Sequence, residues 1–476
     1  MSSFQTAEKD FTLIVFGASG SLAKLKIFPS IYQLFLEKRL PVNYKVVGYA
    51  RSAMTNEQFR EDFREAVVKK YKDVDQKILN QVLENVSYVQ GQYDQKGDFE
   101  NLKKELEKEE KTEHVRIAYL AIPPSVFDAV IENIALVNFN TESSTLRLIL
   151  EKPLGYNLES AKLLKKKLFK FFEKEQIYLL DHYLGKEAVF NVLSLRYANA
   201  ILARLIQGKY IKNIQISGLE SVGVEGRANY FDHVGTLRDM IQSHMFQILA
   251  FLTMNLPEEI DEFTIHREKE NLLRSIKIKD LESSVIRGQY AGYTSEEGVQ
   301  KNSRTETFAA LKVFIDHQDW HGIPIYLRSG KKLKKQWSAI VIEFKHLPLQ
   351  RNQEKLSTNK LVIQLQPGEK IEFQLLTKKG GAELDFHELV TGRAIYCSGD
   401  CLEEHGKLLL ECIKGNRLLF LGFEEVEASW KVIDPVLDHF EKSEKEAHKY
   451  EPGTSGPKEA DDWIAKDGFQ WFNFYE

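Results

Sequence analysis

Apolar runs and amphipathic stretches alternate along the first third of the chain. FTLIVF (residues 11–16) is continuously apolar and runs into a glycine turn, GASGS. LAKLKIFPSIYQLFLEKR then has the 3.6-residue period of a helix starting near Ser21. YKVVGYA predicts a second strand and SAMTNEQFREDFREAVVKKY a second helix. VRIAYLAIPP, LRLILEKPLG and QIYLLDHYLGKE repeat the strand pattern, and SVFDAVIENIALV is helical. Unbroken apolar strands between helices predict a doubly wound, mostly parallel sheet, since a strand covered on both faces shows no polar side.

After residue 182 the rhythm changes. A helix through GKEAVFNVLSLRYANAILARLI is followed by KNIQISGLESVGV, AALKVFIDH, IPIYLRSG, SAIVIEFK and KLVIQLQP, which read as strands separated by turns. Two long helices, VGTLRDMIQSHMFQILAFLTM and HGKLLLECIKG, interleave with them. This pattern predicts an α+β second domain with a large, mainly antiparallel sheet. Residues 1–181 are expected to form a dinucleotide-binding domain and 182–476 a β+α domain. KSEKEAHKYEPGTSGPKEADD is polar and turn-rich and reads as a surface loop.

Composition narrows the function classes. The 476 residues are 43% hydrophobic and 28% charged, an ordinary globular balance. A formal charge of −4 argues against general nucleic-acid binding, which needs a cationic surface. No apolar run approaches the ~20 residues of a membrane helix, and MSSFQTAEKD has no apolar core of a secretory signal. The cysteines are Cys397, Cys401 and Cys412, a sparse and odd set that fits a reducing cytoplasm. With His405 among them a metal site is conceivable, but single thiols along one amphipathic helix are the simpler expectation, and no metal is expected.

The candidate chemistry falls where strands end. Gly17 and Gly20 lie between the first strand and helix, where backbone N–H groups and the helix dipole can face a pyrophosphate. The spacing lacks the middle glycine of the dinucleotide fingerprint. Where NAD-binding sheets usually place an acid after the second strand, this chain has Arg51, which suits a 2′-phosphate. Lys152 in EKP and the cluster in DHYLGKE close two further strands at the expected ligand-binding edge. His182, Tyr183 and Lys186 together make a receptor for a dianion. Glu220, Asp239 and His244 lie close in sequence, but on an ideal helix Asp239 and His244 would stand roughly 140° apart. RSGKKLKKQW is a cationic run suited to steering an anion.

Taken together, GASGSLAK, GYARS, EKPLG, DHYLGKE, EGRANYFD followed by GTLRDMIQSH, and LRSGK resemble the glucose-6-phosphate dehydrogenase family. The resemblance implies an α/β Rossmann-like coenzyme domain and a β+α substrate and dimerisation domain. It implies oxidation of glucose 6-phosphate to its 1,5-lactone, the first step of the pentose phosphate pathway, by a cytoplasmic homodimer, with a homotetramer as the alternative. NADP is the implied coenzyme, with NAD as a weaker substitute. By the same resemblance His244 is the general base and Asp181 the carboxylate that orients it. His182, Tyr183 and Lys186 hold the phosphate, while Lys152, Glu220, Asp239, Lys331 and Gln366 hold or align the sugar. Gly17, Ser19, Gly20, Ser21, Leu22, Arg51 and Lys152 are the implied coenzyme contacts.

The chemistry asks for these residue types. A histidine titrating near neutral pH can take the proton of the C1 hydroxyl, and a carboxylate on its other nitrogen fixes the tautomer. The chain departs from the family in places. Ser21 replaces the aspartate of GASGDLA, which predicts altered coenzyme affinity with the site kept. Gln336 stands where a second basic residue is common, and Gln364 stands where members with a second, structural NADP carry arginine. CSGDCLEEHGKLLL replaces the usual DAYERLLL. Sugar oxidoreductases of the glucose–fructose type share EKP but not DHYLGKE, and a catalytically silent NADP sensor would have no need of both Asp181 and His244.

Overall fold

The computed structural model describes residues 9–108, 110, 114–140, 144–346, 356–382, 385–396, 401–443 and 445–473. By contact the chain divides into two units. The first comprises Met1–Lys186, Asp261–Phe263 and Ser398–Phe423; the second comprises Glu187–Ile260, Thr264–Cys397 and Glu424–Glu476.

The first unit is built on six parallel strands: β1 (Phe11–Phe16), β2 (Tyr44–Ala50), β3 (Val86–Gln90), β4 (His114–Leu120), β5 (Ser144–Leu150) and β6 (Ile177–Leu179). Their order is β3-β2-β1-β4-β5-β6. This is the doubly wound arrangement in which a ligand crevice opens where the order reverses, at the carboxyl ends of β1 and β4. Every residue of β1 and β4 is buried, including the polar Thr12, His114 and Arg116, as strands covered on both faces require. Thr55 caps the helix Asn56–Lys70 through a reciprocal bond pair with Gln58. Residues 401–423 return from far along the chain to this unit. Their helix Glu404–Lys414 is fixed by Arg147 of β5, whose Nη1 donates to the carbonyls of Cys412 (2.6 Å) and Ile413 (2.7 Å).

The second unit holds a ten-stranded sheet. Its strands are β7 (Ile211–Leu219), β8 (Ile276–Lys277), β9 (Val285–Tyr290), β10 (Phe308–Ile315), β11 (Ile325–Gly330), β12 (Trp337–Phe344), β13 (Lys360–Gln366), β14 (Glu369–Lys378), β15 (Phe386–Ile395) and β16 (His448–Tyr450). The order is β15-β14-β13-β12-β7-β11-β10-β9-β16, with β8 on β10. Pairing is antiparallel except between β7 and β11 and between β9 and β16. The core beside it is aromatic, with the Tyr326 ring edge-on to both Trp463 and Trp471.

Three expectations change. The polar stretch 442–462 is not only a loop: β16 pairs there with β9, and a helix, Lys458–Ala465, follows. The cysteines are not three thiols on one helix. Cys412 is a buried free thiol on the helix 404–414, Cys401 precedes that helix and is disulfide-bonded, and Cys397 lies outside the described residues. The long helix read through residue 244 kinks at Gly235, is π-helical over Leu237–Met245 and becomes α-helical over Phe246–Thr253, with consequences for the site. No helix among the described residues is long and apolar enough to cross a membrane.

Candidate active site

In the first unit the chemistry-bearing residues sit at the carboxyl edge of the sheet. Gly17 follows β1 with φ +85°, and its N–H and that of Ala18 reach the Tyr49 carbonyl of β2 at 2.9 and 3.4 Å. A Cβ at Gly17 would lie 2.3 Å from the Ala121 carbonyl oxygen beyond β4, so only glycine fits this cradle at the point where the strand order reverses. Gly20 N–H closes the turn on the Gly17 carbonyl at 2.9 Å, and Ser21 and Leu22 begin the helix behind it. Arg51 leaves β2 exposed, its guanidinium 5.6 Å from the centre of the Tyr93 ring. Ser52 beside it reaches Ser19 of the turn at 3.5 Å. The glycine turn and the arginine therefore frame one surface.

Glu151 and Lys152 follow β5 directly, and Asp181 lies two residues beyond the end of β6. Asp181 is fully buried and accepts the Tyr183 N–H at 2.9 Å, which caps the single turn His182–Gly185. That turn gathers the three residues of the proposed anion receptor. The His182 and Tyr183 rings meet edge-on at 5.1 Å, and the Lys186 ammonium lies 3.7 Å from the Tyr183 ring centre. An ammonium held over a ring face is partly stripped of water and ready to meet an anion.

In the second unit, Glu220, Lys331 and Gln366 share one sheet edge. Leu219 at the end of β7 pairs with Gly330 at the end of β11, so Glu220 and Lys331 emerge side by side, and they form an ion pair. Ser338 of β12 pairs with Gly218 on one side and Gln366 on the other, which brings the end of β13 to the same edge. In the sequence Glu220 stands 111 positions from Lys331 and 146 from Gln366, and only the strand register joins them.

Asp239 and His244 lie on Leu237–Met245, which is π-helical. With i→i+5 bonding, residues five apart stack on one face, so the 140° separation expected of an α-helix does not apply. Gly218 of β7 faces Met240, which seats this helix over the sheet. His244 is buried, at 1% exposure. Glu306 is a residue the sequence reading missed. Its carboxylate accepts the Leu237 N–H at 3.0 Å and its backbone carbonyl accepts the Thr236 N–H, so it caps the helix that carries His244. Burial raises the Glu306 carboxyl above the usual carboxylate range, while the backbone donors oppose that rise. The one available signal was Gly235, φ 70°, whose kink makes room for this side chain.

Residues 14–191 match the family described as glucose-6-phosphate dehydrogenase, NAD binding domain, and residues 193–472 match its C-terminal domain. Glucose-6-phosphate 1-dehydrogenase of Chlamydia pneumoniae is 36% identical, covering 96% of this chain and 95% of the relative. That of Bacillus subtilis is 35% identical over 97% of this chain and 98% of its own. Among solved structures, a glucose-6-phosphate dehydrogenase in complex with its substrate glucose-6-phosphate superposes with a TM-score of 0.90 at 32% identity, covering 99% of this chain and 100% of the other. The enzyme from Mycobacterium avium gives 0.87 at 30% identity, covering 98% of this chain and all of its own.

Proposed function

The chain belongs to the glucose-6-phosphate dehydrogenase family, and from that premise we propose that it oxidises D-glucose 6-phosphate to 6-phospho-D-glucono-1,5-lactone with reduction of NADP, the first step of the pentose phosphate pathway. The observation that carries the reading is the turn 182–185, where an imidazole, a phenol and an ammonium converge on a buried carboxylate cap at the ligand edge of a parallel sheet. Three such donors suit a phosphate dianion.

His244 takes the proton from the C1 hydroxyl. Asp181 orients it and stabilises the imidazolium that results. Glu220, Asp239, Lys152, Lys331 and Gln366 hold the sugar hydroxyls, and so fix the face of C1 that reacts. The fit of the coenzyme rests on the Gly17 cradle, which any Cβ would fill, and on the exposed Arg51 beside it. Gly17, Ser19, Gly20, Ser21 and Leu22 would hold the pyrophosphate, and Arg51 the 2′-phosphate. The bound dinucleotide supplies the hydride acceptor. Equal turnover with NAD would argue against the Arg51 contact.

Replacing Lys186 by alanine is expected to raise KM for glucose 6-phosphate by about 10–100-fold, since a hydrogen bond to a charged group is worth about 1.5–3 kcal/mol. The effect on free glucose should be small. An unchanged KM for the phosphorylated sugar would remove the phosphate assignment.

The proposal includes a cytoplasmic homodimer. Its support is β15, which is exposed over nearly its whole length and presents Leu389 and Val390 to solvent at 43% and 53%. A ten-residue edge strand of this kind invites a covering partner. Sedimentation should give twice the chain mass of 55.0 kDa; a monomer would contradict the pairing.

A further inference from the structure

The helix Glu404–Lys414 carries none of the residues assigned above, yet its first turn is built into the edge where the substrate phosphate is read. A Cβ at Gly185 would lie 2.6 Å from the Glu404 carbonyl oxygen and 3.0 Å from a Leu408 methyl. Only glycine lets the 182–185 turn approach this helix so closely. Two lysines tie the same turn down: Lys26 to Glu404 at 3.2 Å and Lys70 to Glu403 at 2.9 Å.

On this anchored turn sits His405, 8% exposed. Its ring lies nearly parallel to that of His182, at 19° with centroids 6.2 Å apart. Its Nε2 is 3.7 Å from Glu151 Oε1, which accepts the Tyr119 hydroxyl at 2.6 Å. Its Nδ1 is buried with no hydrogen-bond partner among the described residues. The nearest charged group to that nitrogen among the described residues is Glu404 of its own turn, whose Oε1 lies 4.0 Å away. The chain Tyr119–Glu151–His405–His182 thus runs from inside the parallel sheet to the anion receptor.

We propose that His405 is a positioning residue for the substrate phosphate: held by Glu151 and by its helix turn, it backs the His182 ring and fixes the attitude in which His182 meets the phosphate. An imidazole already immobilised loses less freedom on binding than one free to rotate. The effect belongs to binding of the phosphate and leaves the chemical step alone. The inference rests on the reading of His182 as a phosphate ligand.

The test is steady-state kinetics of His405→Ala and His405→Phe with glucose 6-phosphate and with free glucose. His405→Ala should raise KM for glucose 6-phosphate about tenfold, the scale on which outer supporting residues act. Its kcat should stay within about twofold, and kcat/KM for free glucose should not change. His405→Phe, which keeps a ring against His182, should recover most of the loss. If the alanine variant does not fold, His405→Gln fills the volume without a ring and carries the same expectation. An unchanged KM, or a loss shared equally by glucose and glucose 6-phosphate, overturns the role, since a merely structural residue would affect both substrates alike. If instead the unsubstituted protein does not prefer the phosphorylated sugar, the phosphate reading itself fails and takes this inference with it.

Discussion

His244→Asn is expected to lower kcat by about 10²–10⁴-fold, the usual contribution of a positioned general base. KM for glucose 6-phosphate should stay within about threefold, because the substitution leaves the residues proposed to hold the phosphate and hydroxyls unchanged. The size follows from the step. As hydride leaves C1, the hydroxyl proton must also leave, and asparagine can hydrogen-bond that hydroxyl but cannot accept its proton. On the scale of 1.36 kcal/mol per decade, the loss is about 3–5 kcal/mol of transition-state stabilisation. Asparagine is close to histidine in reach and leaves the π-helical segment and its Glu306 cap in place. A small effect would therefore mean that His244 is not the base.

Glu425→Ala is expected to destabilise the fold by about 3–5 kcal/mol, the cost of leaving a buried charge without its partner. In the second unit, Lys269 and Glu425 are 0% and 1% exposed and paired at 2.9 Å, with His266 bonded to the other carboxylate oxygen and Gln247 to the ammonium at 3.2 Å. Burial alone would push the Glu425 carboxyl up, but the Lys269 and His266 charges and hydrogen bonds overcome it and hold it at about 2. A carboxyl depressed in the fold contributes stability above its ordinary value near 4.5, and that contribution is lost as pH falls through about 2. Urea-unfolding midpoints of the natural chain should therefore fall between pH 4.5 and 2 by more than those of Glu425→Ala. Replacing both charges together, with Lys269→Met and Glu425→Leu, should cost much less than the single change. Equal losses in the single and double variants would show that the pair is not what stabilises this region.

How far the sequence discloses this molecule depends on whether the information is local. Five of the six strands of the first unit are legible as short, largely apolar runs, and the residues at their ends stand at the ligand edge without further argument; β3, VSYVQ, alternates buried with half-buried positions and the apolar pattern does not mark it. The proximity of Glu220, Lys331 and Gln366 is not legible, since it arises from strand pairing across more than a hundred residues. The geometry of Asp239 and His244 is misread under the assumption of an α-helix; the hydrophobic pattern of LRDMIQSHM does not distinguish i→i+4 from i→i+5 bonding. Glu306, preceding a strand seventy residues away, gives no local sign that it caps that helix. His405 is similar: its chemistry comes from a segment that returns to the first unit after every strand of the large sheet except β16. Motif resemblance supplied roles for residues that match the family, and could supply none for a position where the chain departs from it.

The most direct measurement is the initial rate of NADPH formation with glucose 6-phosphate, glucose and galactose 6-phosphate in parallel, repeated with NAD. A site built around a charged phosphate should reject the sugar that lacks it, so kcat/KM for glucose 6-phosphate should exceed that for glucose by at least about a hundredfold. NADP should be preferred to NAD, and galactose 6-phosphate should be slower through its misplaced hydroxyl alone. Equal turnover of glucose and glucose 6-phosphate would contradict the account at its centre, because the receptor formed by His182, Tyr183 and Lys186 would then have no phosphate to hold.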